Sequence, residues 1–329
     1  MRNGKFFHRN VNTINYVVDG LVGGFTLVGG IPGDGKSLLV DTIAYHVAAG
    51  VPIFGQQVQS GNVMIIDSDT DYPVLRDRGV RIRAGLTGQG YRIPYEVDFQ
   101  YRSGLLLENQ ATWSGIKAEI LSLKPILLVF DHLACFHHFN ENDAGQMTRV
   151  ADGIEELMAL ENSCALVTHH LNKMEKGTFY QRLRGSGAIL AKTQAAYEVR
   201  TVQKTSGKLE KIGVIPQSRK DITPTPFRVR IDESDTWLRM EYDGRYRPVD
   251  DPITDKICHD LLHQFLDFQP APRLTVKDIV DDAEKGVSEV EVRAGFRMLE
   301  DMGCLGHDAG PHNQYIYKSR VTRCPWCQP

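Results

Sequence analysis

Residues 30–37 constrain the fold of this chain more than any other stretch, because their order and spacing match a motif that binds phosphate groups. They read Gly-Ile-Pro-Gly-Asp-Gly-Lys-Ser, which fits the pattern G-x-x-x-x-G-K-S. Glycines let backbone N–H groups turn toward anionic oxygens, Lys36 brings positive charge to the β- and γ-phosphates, and the Ser37 hydroxyl can bind Mg²⁺. We therefore expect ATP and Mg²⁺ to bind here. The predicted nucleotide-binding residues are Gly30, Pro32, Gly33, Asp34, Gly35, Lys36, Ser37 and Leu38.

The residues on either side place this motif between a strand and a helix. Residues 25–28, Phe-Thr-Leu-Val, are apolar and β-branched, as in a buried strand. After the motif, Leu39, Ile43 and Val47 recur every four residues, and Gly50 suits the C-terminal cap of a helix. A strand, a glycine-rich loop and a helix are the order that the motif requires, which favours a phosphate-binding loop (P-loop) over a glycine turn without a ligand.

A second apolar segment ends in a carboxylate that could hold the metal ion. Residues 126–130, Ile-Leu-Leu-Val-Phe, lead directly into Asp131. An acid at the carboxyl end of a buried strand can hold Mg²⁺, directly or through water, so Asp131 joins Ser37 as a predicted metal ligand. The alternative role for Asp131 is a strand-end cap. We expect its strand to lie beside the strand that precedes the P-loop.

The remaining pattern predicts an α/β fold with a mostly parallel sheet. Further buried strands are predicted at 63–67 and 165–170, and apolar residues follow helical spacing over 147–158. Strands that alternate with helices indicate a parallel sheet covered on both faces. Residues 197–241 contain short β-rich pieces separated by Gly, Pro and Asp, and we interpret them as hairpins that extend the sheet.

Asp251-Pro252 marks a predicted domain boundary. Residues 252–320 have the order helix, helix, helix, hairpin, which is typical of a small winged-helix domain, and residues 321–329 form a tail. Residues 252–329 carry 9 Lys or Arg and 12 Asp or Glu, a net charge of −3. Because phosphates repel an acidic surface, we expect this domain to bind a protein partner rather than to read DNA.

Composition and cysteine placement favour a cytoplasmic protein without membrane contact. No apolar run approaches membrane-spanning length, and the six cysteines are scattered rather than arranged as a disulfide framework. Cys324 and Cys327 form a C-x-x-C pair that could bind zinc with Cys304 and His307, or act as a redox pair. The simplest interpretation is two unpaired tail cysteines. The whole-chain charge of −3 means that any nucleic-acid contact is local.

These stretches together resemble the RecA-like ATPases, and in particular the RepA-type hexameric helicases of plasmids and related phage ATPases. The likeness covers 14–245, and its most specific part is His169-His170-x-x-Lys173 followed by Arg184-Gly-Ser. It implies a RecA-like ATPase domain over 1–251, followed by the winged helix. It also implies a homo-oligomer in the form of a hexameric ring that acts on single-stranded DNA.

The resemblance also implies roles for particular residues. Asp69 matches the acid that polarises the attacking water, although the family usually has Glu there, and Asp67 is the alternative. His170 matches a residue that senses the γ-phosphate and relays its state to DNA loops; the alternative is a satisfied core histidine. Arg219 and Lys220 match trans-acting cations that complete a neighbouring subunit's site, unless they form a solvated turn.

The sequence departs from the RepA-type pattern at one position. Gln194 stands where RepA-type helicases have an arginine.

The segment after His170 is rich in cations and aromatic residues. In RecA-like rings this loop faces the pore, where cations track the nucleic-acid backbone and aromatic rings stack on bases. The alternative is a disordered basic surface loop. The residues predicted to contact nucleic acid are Lys173, Lys176, Phe179, Arg182 and Arg184.

The leading functional hypothesis is an ATP-hydrolysing, ring-forming motor or remodeller on single-stranded DNA, in DNA replication or recombination. The first alternative is a RecA-like ATP switch that controls assembly with protein partners without unwinding. The second is a regulator whose winged helix binds duplex DNA, against which the acidic C-terminal domain counts.

Overall fold

We describe the protein from a computed structural model. The described residues are 15–101, 104–172, 179–183, 187–217 and 225–246, together with 275, 296, 305–309 and 315–319. The chain divides into two compact units, Met1–Tyr246 and Arg247–Pro329. Within the described residues, no helix has the length and apolar character needed to cross a membrane.

The first unit alternates strands and helices along most of its length. Its described elements are, in chain order, β1 (Tyr16–Val18), β2 (Val22–Gly23), β3 (Phe25–Gly30), α1 (Lys36–Ala49), β4 (Val63–Asp67), α2 (Tyr72–Gly88), β5 (Val97–Tyr101), α3 (Gln110–Leu123), β6 (Leu127–Asp131), a 3₁₀ turn (Leu133–Phe136), α4 (Ala144–Glu161), β7 (Cys164–His170), α5 (Phe179–Arg182), α6 (Ala188–Lys192), β8 (Ala195–Thr205), β9 (Lys208–Pro216), β10 (Phe227–Glu233) and β11 (Leu238–Arg245).

Nine of these strands form one sheet, in the order β11-β10-β9-β8-β3-β7-β6-β4-β5. The strands from β8 to β5 pair in parallel, whereas β8, β9, β10 and β11 pair antiparallel as successive hairpins. Both the mostly parallel sheet and its hairpin extension are therefore confirmed. The carboxyl ends of the parallel strands share one edge, where ligands bind in folds of this kind.

The predicted position of β6 is wrong. β3 pairs with β7 and β8, so that β7 lies between β3 and the strand that ends in Asp131. β3, β6 and β7 are all apolar and buried on both faces, so their sequences do not determine which of them are neighbours. The insertion of β7 places its last residues, His169 and His170, in register with Gly29 and Gly30.

The core consists of two apolar clusters, one on each face of the sheet. Along β6, Leu127 and Val129 belong to one cluster, and Leu128 and Phe130 to the other. Each of these side chains is fully buried, and such burial contributes about 1.5–3 kcal/mol per side chain. The sheet is thus held from both sides, which fixes the carboxyl edge where the candidate site lies.

The ends of α1 are set by glycines. Gly35 precedes the helix with φ 88° and Gly50 follows it with φ 67°. Both values lie in the left-handed region, which only glycine adopts without strain. The predicted helix after the P-loop and its glycine cap are both confirmed.

The described part of the second unit contains an antiparallel hairpin, β12 (Leu305–Ala309) and β13 (Tyr315–Ser319). Phe296 and Leu305 are fully buried. Of the three predicted helical segments of the winged-helix domain, only Thr275 and Phe296 are described, and Phe296 is helical. Cys304, Cys324 and Cys327 lie outside the described residues.

Candidate nucleotide-binding site

The P-loop connects the end of β3 to the start of α1 at the carboxyl edge of the sheet. Gly33 and Gly35 have φ values of 87° and 88°, so a side chain at either position would strain the backbone. A Cβ on Gly35 would lie 2.7 Å from the Leu209 Cδ2 atom, and one on Gly30 would lie 2.8 Å from the Val199 carbonyl oxygen. The loop is therefore a tight cradle with the β8–β9 hairpin on one side.

Lys36 directs its ammonium group into this cradle. The side chain is almost fully buried. Its Nζ atom donates to the Gly30 and Ile31 carbonyl oxygens at 2.9 and 3.0 Å and lies 3.4 Å from His170 Nδ1. Burial lowers the pKa of Lys36, and the nearby Asp131 carboxylate acts in the opposite direction. A buried cation surrounded by loop carbonyls is suited to bind phosphate oxygens.

Two residues of β8 brace the P-loop from the side. The Asp34 carboxylate accepts hydrogen bonds from the Ile31 amide, the Thr201 amide and the Thr201 hydroxyl. Lys204 Nζ donates to the Gly33 carbonyl at 3.1 Å. Sequence reasoning missed Thr201 and Lys204, because nothing in their local pattern shows that the hairpin packs on a loop about 170 residues earlier.

Asp131 has the environment expected of a metal-binding carboxylate. It lies buried at the end of β6, and its Oδ1 atom accepts from the Thr168 hydroxyl at 2.5 Å. Its Oδ2 atom is buried and makes no hydrogen bond within the described part of the chain. Such an orphaned oxygen is costly unless a ligand satisfies it. Carboxylate and hydroxyl oxygens are what Mg²⁺ prefers, so Asp131 and Ser37 fit the predicted ion.

The structure assigns different positions to the two candidate acids. Asp67 is buried at the end of β4, and its Oδ1 atom accepts from the amides of Asp69 and Thr70 at 2.9 and 2.8 Å. Burial raises the pKa of Asp67. Asp69 follows on this turn with 58% of its side chain exposed. Asp67 therefore shapes the turn, whereas the Asp69 carboxylate is exposed at its surface.

His170 lies beside the P-loop lysine. β7 pairs His170 with Gly30, which brings the imidazole within 3.4 Å of Lys36 Nζ. The ring also packs against His132, with 4.3 Å between ring centroids. The structure thus brings together the P-loop, Asp131, Asp69 and His170, while their catalytic roles stay predictions.

A buried ion pair ties α1 to α2 close to this site. Arg78 Nη1 lies 2.6 Å from Asp41 Oδ2. Burial raises the pKa of Asp41 to about 7, although the Arg78 guanidinium opposes the shift, and the Asp131 carboxylate adds to it. Burial thus moves the pKa of Asp41 into the neutral range.

The position of Phe179 differs from the one predicted for the nucleic-acid loop. Phe179 is buried in the core, and a Cβ on Gly29 would lie 2.6 Å from its ring. This burial contradicts the predicted base-stacking role of Phe179, because apolar contacts with β3 already cover the ring. Arg182 forms an ion pair with the buried Glu198 at 2.6 Å. The other predicted contacts and trans cations, Lys173, Lys176, Arg184, Arg219 and Lys220, lie outside the described residues.

Gln194 makes a hydrogen bond at the end of β3 away from the P-loop. Its Oε1 atom accepts from the Phe25 amide at 2.6 Å, at the amino end of β3. The P-loop follows the opposite end of that strand. This contact places the Gln194 side chain at the end of β3 opposite to the P-loop.

These features define a P-loop nucleotide-binding protein with an α/β core. Residues 6–176 match the family model described as AAA domain, which is just over half of the chain, so the chain belongs to the AAA domain family. No curated protein matched the sequence. One similar solved structure is described as a DnaB-like replicative helicase and its interactions with primase, with 12% identity and a TM-score of 0.49. The match covers 65% of this chain and 57% of that one, so this chain spans little more than half of that protein's length.

Proposed function

We propose that this protein is an ATP-hydrolysing, ring-forming motor or remodeller that acts on single-stranded DNA, as RepA-type replicative helicases do. Lys36, Ser37 and Asp131 would hold the triphosphate and its Mg²⁺. The bound ion would neutralise charge that develops on the transferred phosphoryl group. Asp69 would orient the attacking water and accept its proton, which its exposed position on the turn after β4 permits.

The observation that carries this proposal is the direct connection from the P-loop lysine to the basic loop. His170 lies against Lys36, and the segment 173–178 begins three residues later. The residues before this segment contact the residues at the end of α5, which follows it. Leu171 pairs with Leu183, and the Asn172 amide donates to the Arg182 carbonyl at 2.7 Å. A movement of His170 in response to nucleotide would therefore be passed to both ends of the loop.

The cations left for DNA contact are a smaller set than the sequence predicts. With Phe179 buried and Arg182 paired to Glu198, the proposal depends on Lys173, Lys176 and Arg184. Tyr180 keeps 41% of its surface exposed and is the aromatic residue near the loop that a base could reach. In a hexameric ring, Arg219 and Lys220 would complete the site of the neighbouring subunit, and the acidic C-terminal domain would bind a protein partner.

A second candidate function is an ATP-dependent assembly switch that does not translocate on DNA. Two observations favour it: the shorter Asp69 stands in place of the family's Glu, and two of the predicted DNA-contact side chains are engaged within the protein. A switch would change its oligomeric state with nucleotide, whereas a motor would also bind single-stranded DNA in the ATP state.

Fluorescence anisotropy with single-stranded DNA, at several salt concentrations, separates these two candidates. For a Lys173→Ala and Lys176→Ala double variant we expect weaker binding, and a salt slope smaller by about 0.7 for each lost phosphate contact. An Arg92→Ala and Arg149→Ala double variant, at two exposed positions outside this segment, removes the same charge elsewhere and should bind as the wild type does. The switch would be favoured if both double variants lost the same DNA affinity. It would also be favoured if light scattering showed a nucleotide-dependent oligomer that does not bind DNA.

A further inference from the structure

Three side chains of different chemistry converge beside the P-loop, where Asp69, His132 and Cys135 meet. The ligand atoms of the three residues all lie within 4.8 Å of one another. His132 Nε2 lies 3.8 Å from Asp69 Oδ2 and 3.5 Å from Cys135 Sγ. No part of the proposed ATP chemistry uses His132 or Cys135.

The fold explains why these residues meet. β4 and β6 are parallel neighbours with Asp67 opposite Asp131, so the residues that follow both strands emerge at the same edge. His132 directly follows β6 and precedes the 3₁₀ turn Leu133–Phe136, and the Cys135 amide donates to the His132 carbonyl at 3.0 Å. This turn aligns the imidazole and the thiol, and packing against His170 sets the plane of the His132 ring.

We propose that Asp69, His132 and Cys135 form a binding site for a divalent transition metal of the Zn²⁺ type. Thiolate, imidazole and carboxylate are the ligands that Zn²⁺ takes, whereas Mg²⁺ prefers oxygen alone. Bond lengths of about 2.0–2.3 Å put the ligand atoms of tetrahedral Zn²⁺ about 3.3–3.8 Å apart. The His132–Cys135 and His132–Asp69 separations of 3.5 and 3.8 Å fall in this range. The third pair, Asp69 and Cys135, lies within 4.8 Å, so the exposed Asp69 side chain would turn toward the ion to complete the site.

Occupancy of this site would control hydrolysis, a consequence that rests on the proposed function. A metal bound to the Asp69 carboxylate would remove the group proposed to accept the proton of the attacking water. Lys36, Ser37 and Asp131 would remain available, so ATP would still bind. The metal would thereby hold the protein in an ATP-bound state without turnover.

Cobalt substitution tests the site without any measurement of activity. Co²⁺ bound to a thiolate gives a charge-transfer absorption band in the near ultraviolet, and we expect the full-length protein to show this band at one equivalent of added Co²⁺, with loss of the band on addition of excess Zn²⁺. Cys135→Ser should abolish the band, and His132→Gln should weaken Co²⁺ binding at least tenfold. Circular dichroism melts would verify that both variants are folded.

The C-x-x-C pair of the C-terminal tail, Cys324 and Cys327, provides the matched control. A Cys324→Ser and Cys327→Ser double variant should keep the full band. The proposal is overturned if the band survives in Cys135→Ser, if it vanishes in the Cys324 and Cys327 variant, or if the wild type shows no band.

A second measurement separates this proposal from the proposed function. Zn²⁺ should abolish ATP hydrolysis by the wild type while labelled ATP still binds, and Cys135→Ser should require at least tenfold more Zn²⁺ for the same inhibition. A protein that gives the cobalt band but never hydrolyses ATP would contradict the motor and leave the metal site in place. A protein that hydrolyses ATP equally well with saturating Zn²⁺ would contradict the regulatory role of the metal.

Discussion

Replacing Thr168 by valine tests how the metal-binding carboxylate is held. Thr168 is fully buried on β7, and its hydroxyl donates at 2.5 Å to Asp131 Oδ1 on the neighbouring strand β6. Valine has nearly the same shape but no hydroxyl, so Thr168→Val removes this bond and leaves the apolar packing. A hydrogen bond to a charged group contributes about 1.5–3 kcal/mol, and loss of a group that orients a metal ligand lowers metal affinity by about 10–100-fold.

The assay is the Mg²⁺ dependence of labelled-ATP binding, followed by fluorescence. In Thr168→Val we expect the Mg²⁺ concentration at half-saturation to rise by about 10–100-fold, whereas metal-free nucleotide binding should change little. Thr168→Ser keeps the hydroxyl and should stay close to the wild type. If Thr168→Val shows the wild-type Mg²⁺ dependence while it folds normally, then Thr168 does not position Asp131 and the assignment of Asp131 to the metal loses its support.

Three further predictions concern the site and its surroundings. Asp69→Asn should bind ATP with wild-type affinity and hydrolyse it at least 100-fold more slowly, as measured by phosphate release, because general-base catalysis contributes about 10²–10⁴-fold. Gly35→Ala should weaken ATP binding at least tenfold by calorimetry, because φ of 88° strains alanine and its methyl group would contact Leu209. Because burial raises the pKa of Asp41 from 3.8 to about 7, the free energy of unfolding should fall as pH rises between these values, by at most about 1.4 kcal/mol per pH unit, and then level off. Urea titrations of the wild type and Asp41→Asn from about pH 5 to about pH 8 measure this fall, and equal slopes would contradict the assignment.

The parts of the site that lie within one strand–loop–helix unit could be predicted from the sequence. The P-loop depends on local backbone geometry, and glycines at 33 and 35 carry that geometry in the sequence. Asp131 and His170 were likewise predictable as strand-end residues, because each follows a short apolar run. What these residues have in common is that their position follows from a pattern within about ten neighbouring residues.

The features that depend on packing between distant segments could not be predicted. The neighbours of β6 follow from how crossovers order strands that are equally apolar, and the sequence does not encode that order locally. Phe179 stands among cations in the sequence, but its ring packs against Gly29 on β3. Thr201 contacts the P-loop only because the β8–β9 hairpin folds over it.

The rate of ATP hydrolysis with and without single-stranded DNA tests the central claim most directly. We predict that the wild type hydrolyses ATP, that single-stranded DNA raises its rate several-fold, and that duplex DNA has a smaller effect. Lys36→Ala, which lacks the buried ammonium of the P-loop, should show no hydrolysis above background in either condition. A wild-type rate that single-stranded DNA leaves unchanged would contradict a DNA motor, and a Lys36→Ala rate equal to that of the wild type would contradict the assigned nucleotide site.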